Sequence, residues 1–374
     1  AFQRYGEEQQ KQQRIVRTWR SLFDKLSSEQ ILAKLAGNPW PGALPTPELD
    51  AADGLCLPFG VNWSNHQEAR AWAKLTLENH PTIAVDGSQI TPDPMYAIPV
   101  GAIQIGWFIN PHCAERPYVK DIDFAVLPPE TLREADNEAE TFAVQIVNQK
   151  RFEAECRRLT WLMRSAAEEP LPAHGIPPLS FFDGSFIISF AGKIREGRAQ
   201  PYIHSVRAML DTSRQFQMPI VGFVDTSHSH DIATMVRSIQ PVQNDLPEVS
   251  DAALLSSILQ HWGDRTPFFI CARPDALSRN QSDIFYKEVA FCYIRLNQHR
   301  PPARLEIPRW LLESGRAEEI VNLVRAECVV GGGYPYAIET ADALAVISYP
   351  DRQRFYRIVV QFSEREGMAL TVSL

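Results

Sequence analysis

Thr82-Ile83-Ala84-Val85-Asp86-Gly87-Ser88-Gln89-Ile90 and Leu179-Ser180-Phe181-Phe182-Asp183-Gly184-Ser185-Phe186-Ile187-Ile188 share one device: a short apolar run that delivers an Asp-Gly-Ser triplet. An apolar run of this length reads as a buried strand. A carboxylate at its end is held by rigid backbone and opens onto a cleft, and the glycine after it admits a turn or a close approach. Asp-Gly and Gly-Ser are also ordinary turn dipeptides, so one copy says little. Two copies behind apolar strands point to a shared site, a hard oxygen-rich pocket suited to Mg²⁺ or Mn²⁺. The first strand is expected to end at Asp86. Apolar residues resume at once after the second triplet, at Phe186, Ile187 and Ile188, so that strand is expected to pass through its motif.

Outward from these two strands, periodicity predicts the remaining elements. Residues 7–35 read as one helix with Ile15, Trp19, Leu22, Phe23 and Leu26 on a single face. Residues 36–60, rich in Pro and Gly, read as irregular chain, and a short helix over 65–75 leads into the first strand. Strands are expected over 102–109, antiparallel to the first, and over 121–127. A long helix is expected over 128–167, with a favourable proline at its start and apolar residues at Phe142, Ile146, Phe152, Leu159 and Leu162. A loop with Pro170, Pro172, Pro177 and Pro178 follows. Beyond the second Asp-Gly-Ser, helices (202–216, 231–239, 252–262) alternate with strands (219–224, 267–271), and 291–296 with 304–307 form a late strand pair. Helices around 309–328 and 336–346 come next, and 355–362 reads as a final strand or helix edge. This order predicts an α/β fold, a mixed sheet flanked by helices. It divides into an N-terminal helix and irregular arm, 1–60, and one elaborated domain, 61–374.

The 374 residues are 45% hydrophobic, enough for a sizeable core, with a formal net charge of −8. That charge does not advertise nucleic acid; an enzyme acting on nucleic acid would at this charge need a local basic groove or metal ions to offset its carboxylates. The six cysteines form no Cys-x-x-Cys pair, so a zinc site is not expected, and their apolar settings suit a reducing cytoplasm. No apolar stretch reaches the roughly 18 residues of a membrane span, and the polar, Gln-rich start does not read as a signal peptide.

Two-metal phosphodiester chemistry wants three or four carboxylates, or a His, around the ions. On the long helix Phe152, Glu155, Leu159 and Leu162 share a face, which turns Glu155 toward the sheet. A carboxylate on an apolar stripe is costly unless paired or metal-bound; a salt bridge to an Arg such as Arg158 is the alternative to ligation. Gly331-Gly332-Gly333-Tyr334-Pro335-Tyr336 leads into a helix that carries Asp342, an unfavourable residue mid-helix and therefore a candidate ligand. The glycine run is not a P-loop, since no Gly-Lys-Ser/Thr follows. His228-Ser229-His230-Asp231 reads as a metal cluster or, more simply, as a polar cap. Tyr293 reads as a phosphate or metal-water contact or as an ordinary strand tyrosine.

Together these segments resemble the NurA nuclease family. The resemblance rests on Ile83 to Ser88, Phe181 to Phe186, Arg151 with Glu155, Tyr293-Ile294-Arg295-Leu296 with Leu305-Glu306-Ile307-Pro308, and Gly333-Tyr334-Pro335-Tyr336 through Ala341-Asp342. It implies an RNase H-like mixed β-sheet flanked by helices, with a helical N-terminal extension and insertions. It also implies Mn²⁺-dependent (or Mg²⁺-dependent) DNA degradation, as a 5′ to 3′ exonuclease and single-strand endonuclease. A homodimer that docks on the hexameric translocase HerA during break-end resection is implied as well, with single-stranded DNA and duplex ends as substrates. By the match Asp86, Glu155 and Asp183 would be metal ligands; Asp342, as a fourth ligand, and Tyr293 complete the candidate catalytic set. Archaeal members tend to carry a His where this chain has Asp342 and a Lys where it has Asp225, so phosphate clamping would fall to Arg207, Arg214 or Arg237. A non-catalytic adaptor of a translocase and a metal-dependent phosphatase are the competing readings.

Overall fold

The computed structural model describes residues 2–96, 99–132, 139–168, 176–190, 196–240, 249–273 and 285–367. The expected helix segment 133–138 and the prolines Pro170 and Pro172 lie outside them. The chain forms two compact units, each built from three separate stretches: Ala1–Glu78, Asp183–Glu196 and Pro219–Tyr336 make the first, and Asn79–Phe182, Gly197–Met218 and Ala337–Leu374 the second.

The second unit carries a four-stranded mixed sheet, in the order β5-β2-β3-β4. Strand β2 (Thr82–Ile90) pairs antiparallel with β3 (Gly101–Asn110) and parallel with β5 (Leu179–Asp183), and β3 pairs antiparallel with β4 (Val119–Leu127). The two Asp-Gly-Ser motifs behave opposite to expectation. β2 runs through its motif to Ile90, because every residue from Thr82 to Ile90 has a partner on β3. β5 ends at Asp183, and Gly184, at φ 148, turns the chain away in a region that favours glycine. Phe186, Ile187 and Ile188 are buried as expected, but as a loop.

Helix α5 (Ala139–Glu168) packs on β2 and β3. It is separated from the short α4 (Pro129–Leu132), where one helix was expected. Helix α6 (Glu196–Phe216) belongs to the same unit. So do α11 (Tyr336–Ala345) and α12 (Tyr349–Arg365), the latter capped by Ser348 and settling the 355–362 segment as helix.

Helix α11 sits directly on β3. Gly106 has no side chain, and the main chain of Ala341 and Ala345 occupies the space a Cβ would need. Gln104 Nε2 donates to the Leu344 and Ala345 carbonyls, at 3.1 and 3.2 Å, which meet the unpaired acceptors at the helix end.

The first unit carries an antiparallel sheet in the order β1-β7-β8-β9-β6. Its strands are β1 (Gly42–Pro45), β6 (Ile220–Val224), β7 (Phe269–Ala272), β8 (Val289–Ile294) and β9 (Ala303–Pro308). β1, followed by a single 3₁₀ turn (Pro47–Ala51), gives structure to a segment expected to be irregular. The helix expected over 7–35 is two, α1 (Phe2–Phe23) and α2 (Ser28–Leu35), because Ser27 and Gln30 form a reciprocal capping box that starts a new helix. The remaining helices are α3 (His66–Leu77), α7 (Asp231–Ile239), α8 (Asp251–Leu255), α9 (Arg309–Glu313) and α10 (Ala317–Val330). Every residue of β8 and β9 is buried, including Arg304 and Glu306.

Gly106→Ala is expected to destabilise the chain by about 1–3 kcal/mol, the range for overpacking against a neighbour that cannot yield. Urea unfolding of the variant beside the wild type measures it.

Candidate functional site

Strand alternation decides which way the two motif aspartates point. Phe182 meets Phe152 of α5 edge to face, with ring centroids 6.0 Å apart. Gly87 also turns its bare α-carbon toward α5, where a Cβ would collide with a Glu155 carboxylate oxygen. Asp183 follows Phe182 and Asp86 precedes Gly87, so both aspartates face away from α5. The parallel register sets Val85 beside Phe182, and an aspartate is the next residue of each strand. The same opposite face carries α11 beside Asp86, because Gly106 is the residue paired with Asp86 on β3. Asp342 is exposed on that helix.

Glu155 comes from the other face. It is buried and ion-paired with Arg151, Nη1 to Oε1 at 2.7 Å, while the same Nη1 donates to the Gly87 carbonyl at 3.0 Å. Arg151 and Glu155 together therefore bracket the residue after Asp86. Arg158, expected as the alternative partner, pairs instead with Asp123 at 2.8 Å. Asp183 accepts a hydrogen bond from the Tyr334 hydroxyl at 2.7 Å, and the Tyr334 ring packs on Phe223 of β6.

The donors are all carboxylate oxygens, the chemistry a hard divalent cation selects, so their type fits such an ion. Among the described residues no three His, Cys, Asp or Glu side chains already stand close enough to share one.

The first unit holds a buried ionic network on β9 that sequence reasoning met only in pieces. Glu306, with no exposed surface, accepts from the Phe186 N–H at 2.7 Å and from the Ser185 hydroxyl at 2.9 Å. It thereby pins the loop that follows Asp183. Arg304 donates Nε to Glu306 at 2.7 Å and Nη1 to Asp231 at 2.8 Å, and its guanidinium lies 3.7 Å from the Phe291 ring centre. Arg273 grips Asp231 with two nitrogens, at 2.8 and 2.7 Å, and reaches Ser229 and Ser189. Asp231 thus belongs to this network, and its neighbour His230 contacts the Val249 carbonyl. Asp225 pairs with Arg300 at 2.6 Å, a cation not among those expected to compensate for it.

Tyr293 is placed in this network. It is wholly buried, with its hydroxyl 3.3 Å from Asp251 and 3.2 Å from Arg304 Nη1. Burial, reinforced by the Asp251 carboxyl, pushes its phenol pKa up, so the group keeps its proton. A contact with phosphate or a metal-bound water gives way to a structural task, and the expectation of a catalytic Tyr293 is corrected by its enclosure. The signal available from sequence was the Arg304-x-Glu306 alternation in an otherwise apolar strand, which places two charges on one buried face.

Burial works to raise the Asp231 pKa, but the Arg273 and Arg304 guanidiniums overcome it and hold the group below its ordinary value. Asp251 goes the other way: burial and then the Asp231 charge push it up to about 7, against the Ile232 and Ala233 N–H donors. A carboxyl whose folded pKa lies above its unfolded 3.8 stabilises fully below that value, and its contribution fades as pH rises toward 7. Asp251→Asn removes the titration. Relative to wild type the variant is expected to gain in unfolding free energy between about pH 4 and pH 7, as read by denaturant melts across that range. Glu306→Gln is expected to cost about 3–5 kcal/mol, because Arg304 would be left buried with one counter-charge fewer; the same melts at one pH measure it.

With this geometry in place, comparison with known proteins is informative. A family model, the NurA domain, matches residues 80–347. Among solved structures the chain is similar to the NurA nuclease from Sulfolobus solfataricus, with a TM-score of 0.50 and 13% identity over 77% of this chain and 85% of that one. It is also similar to a structure of NurA with manganese, at a TM-score of 0.45 and 10% identity over 76% and 89%. The catalytic domain of human Endonuclease V follows at a TM-score of 0.35 and 13% identity, over 79% and 96%. No curated protein sequence matches. The likeness to the Sulfolobus structure shows the fold, which is RNase H-like as expected. Matched by its family model over well more than half its length, across both Asp-Gly-Ser strands, helix α5 and α11, the chain belongs to the NurA family.

Proposed function

We propose that the chain is a divalent-metal-dependent deoxyribonuclease that hydrolyses phosphodiester bonds at the β2–β5 strand pair. One observation carries the reading: Asp86 and Asp183 follow registered residues on neighbouring parallel strands and face the same way. Family membership supports the nuclease class.

In this reading Asp86 and Asp183 would hold the ion, with Asp342 on the same face and Glu155 behind Gly87. Mn²⁺ or Mg²⁺ there would polarise the phosphoryl oxygen and acidify a water. The protein's own residues set the geometry. Tyr334 fixes the Asp183 carboxylate by donating to one oxygen. Arg151 holds Glu155 and the Gly87 carbonyl together, so the backbone that bears Asp86 cannot drift. Glu306 clamps the loop after Asp183 from beneath. Tyr293 acts through Arg304 and does not touch substrate. Until cations arrive, the carboxylates at the strand pair would repel the scissile phosphate, so turnover would depend steeply on metal.

The finer assignments extend this proposal: 5′ to 3′ exonuclease and single-strand endonuclease action, work as a homodimer with a HerA-type translocase in break-end resection, and a cytoplasmic location. No described helix is long and apolar enough to cross a membrane.

Asp86→Ala and Asp183→Ala are each expected to lower cleavage of an end-labelled single strand in Mn²⁺ at least about a hundredfold, a loss of more than roughly 2.7 kcal/mol of transition-state stabilisation. Circular dichroism should remain as in wild type. Cleavage persisting in either folded variant would overturn the assignment.

A further inference from the structure

Helix α5 has a second chemistry on its outer side. Arg157, Trp161 and Arg164 follow at spacings of four and three, so they form one stripe, turned away from Glu155. All three are exposed, and the Trp161 side chain is 54% exposed. Neither Arg157 nor Arg164 has a carboxylate partner among the described residues. Beside the stripe, between α5 and α6, lies a groove of about 590 Å³ lined by Arg157, Thr160, Trp161, Arg164, His204 and Ser205. The one carboxylate on its wall, Glu153, is already engaged by Lys150 at 3.0 Å and Gln149 at 2.7 Å. Arg158 braces the tryptophan: its guanidinium carbon lies 5.4 Å from the centre of that ring and 4.1 Å from Trp107, and Asp123 anchors it.

We infer that this groove is a non-catalytic binding site for single-stranded DNA, with one base stacked on Trp161 and adjacent phosphates held by Arg157 and Arg164. The inference rests on the nuclease reading for its ligand class and deepens it. Charge is the first argument. In a chain of net charge −8, uncompensated cations grouped around a groove fit a polyanion. The exposed indole is the second. A duplex keeps its bases stacked on each other, whereas a single strand offers each π-face to an aromatic platform flanked by cations. Trp161 lies six residues from Glu155, about 9 Å along the axis at 1.5 Å per residue, and on the other side of the helix. The groove would therefore hold a part of the strand away from the scissile bond, which favours long strands over short ones.

The test is fluorescence anisotropy of a 5′-fluorescein-labelled 30-nucleotide oligothymidylate with the full chain in EDTA, so that binding is read without cleavage. Trp161→Ala is expected to bind about tenfold more weakly, the effect of losing one base stack, and Trp161→Phe to recover most of that loss. The double variant Arg157→Ala/Arg164→Ala is expected to flatten the slope of log affinity against log salt by about 1.4, from two phosphate contacts at 0.7 each. Unaltered affinity in Trp161→Ala together with an unaltered salt slope would overturn the site, and would assign this face to a protein partner. Wild-type hydrolysis of bis-p-nitrophenyl phosphate in Mn²⁺, read separately, tests the carboxylate site alone. Failure there with Trp161-dependent strand binding would leave the groove standing without the nuclease.

Discussion

Burying a full set of opposite charges in the first unit constrains everything around β9. Arg304, Asp231 and Glu306 are removed from water and Arg273 is half-buried beside them, and a buried ion is tolerated only when paired and hydrogen-bonded. The network meets most of that demand, all but Arg304 Nη2, by recruiting a main-chain N–H and serine hydroxyls. Glu306 takes the N–H of Phe186, and Arg273 takes the hydroxyls of Ser189 and Ser229. The short path from Asp183 to Ser189 is therefore anchored at both ends, although it contains no regular structure. Replacing such a network with apolar residues often preserves stability in other proteins. Here it does something an apolar core cannot, since it grips a loop by its polar groups.

In the second unit glycine plays the complementary part. Gly87 and Gly106 lie on neighbouring strands and face opposite ways, each admitting a different helix to the backbone near Asp86. Through one gap come Glu155 and Arg151; against the other lies α11. A side chain at either position would force a helix outward. The carboxylates thus reach the strand pair because the sheet is locally bare, and the mixed pairing of β2, parallel to β5 on one edge and antiparallel to β3 on the other, keeps that bare patch in register.

Much of this was legible in the residues. Helix α7, strands β3, β6, β8 and β9, and the inward face of α5 follow from apolar spacing, because burial is their main determinant. The behaviour of the two Asp-Gly-Ser motifs was read backwards. Apolar residues after Gly184 suggested a continuing strand, but the N–H groups of Phe186 and Ile187 donate to Glu306, more than a hundred residues away. Polar residues after Gly87 suggested an end, but a nine-residue antiparallel ladder carries β2 onward. In both cases a long-range hydrogen-bond partner, invisible to local pattern, outweighed hydropathy. The fate of Tyr293 has the same cause: a strand tyrosine between apolar neighbours looks identical whether its hydroxyl meets solvent or Asp251.

Strand β4 closes one side of its sheet with every residue from Val119 to Val126 exposed. Ile122, Phe124 and Val126 alternate along it, and such an uncovered rim invites lateral growth by a second chain. The order of charges opposes that growth. An antiparallel match of two such rims about Ile122 would set Asp121 of one against Asp123 of the other, and like charges directly across a ladder repel. That one register is thereby disfavoured, and the edge carries its own obstacle to it.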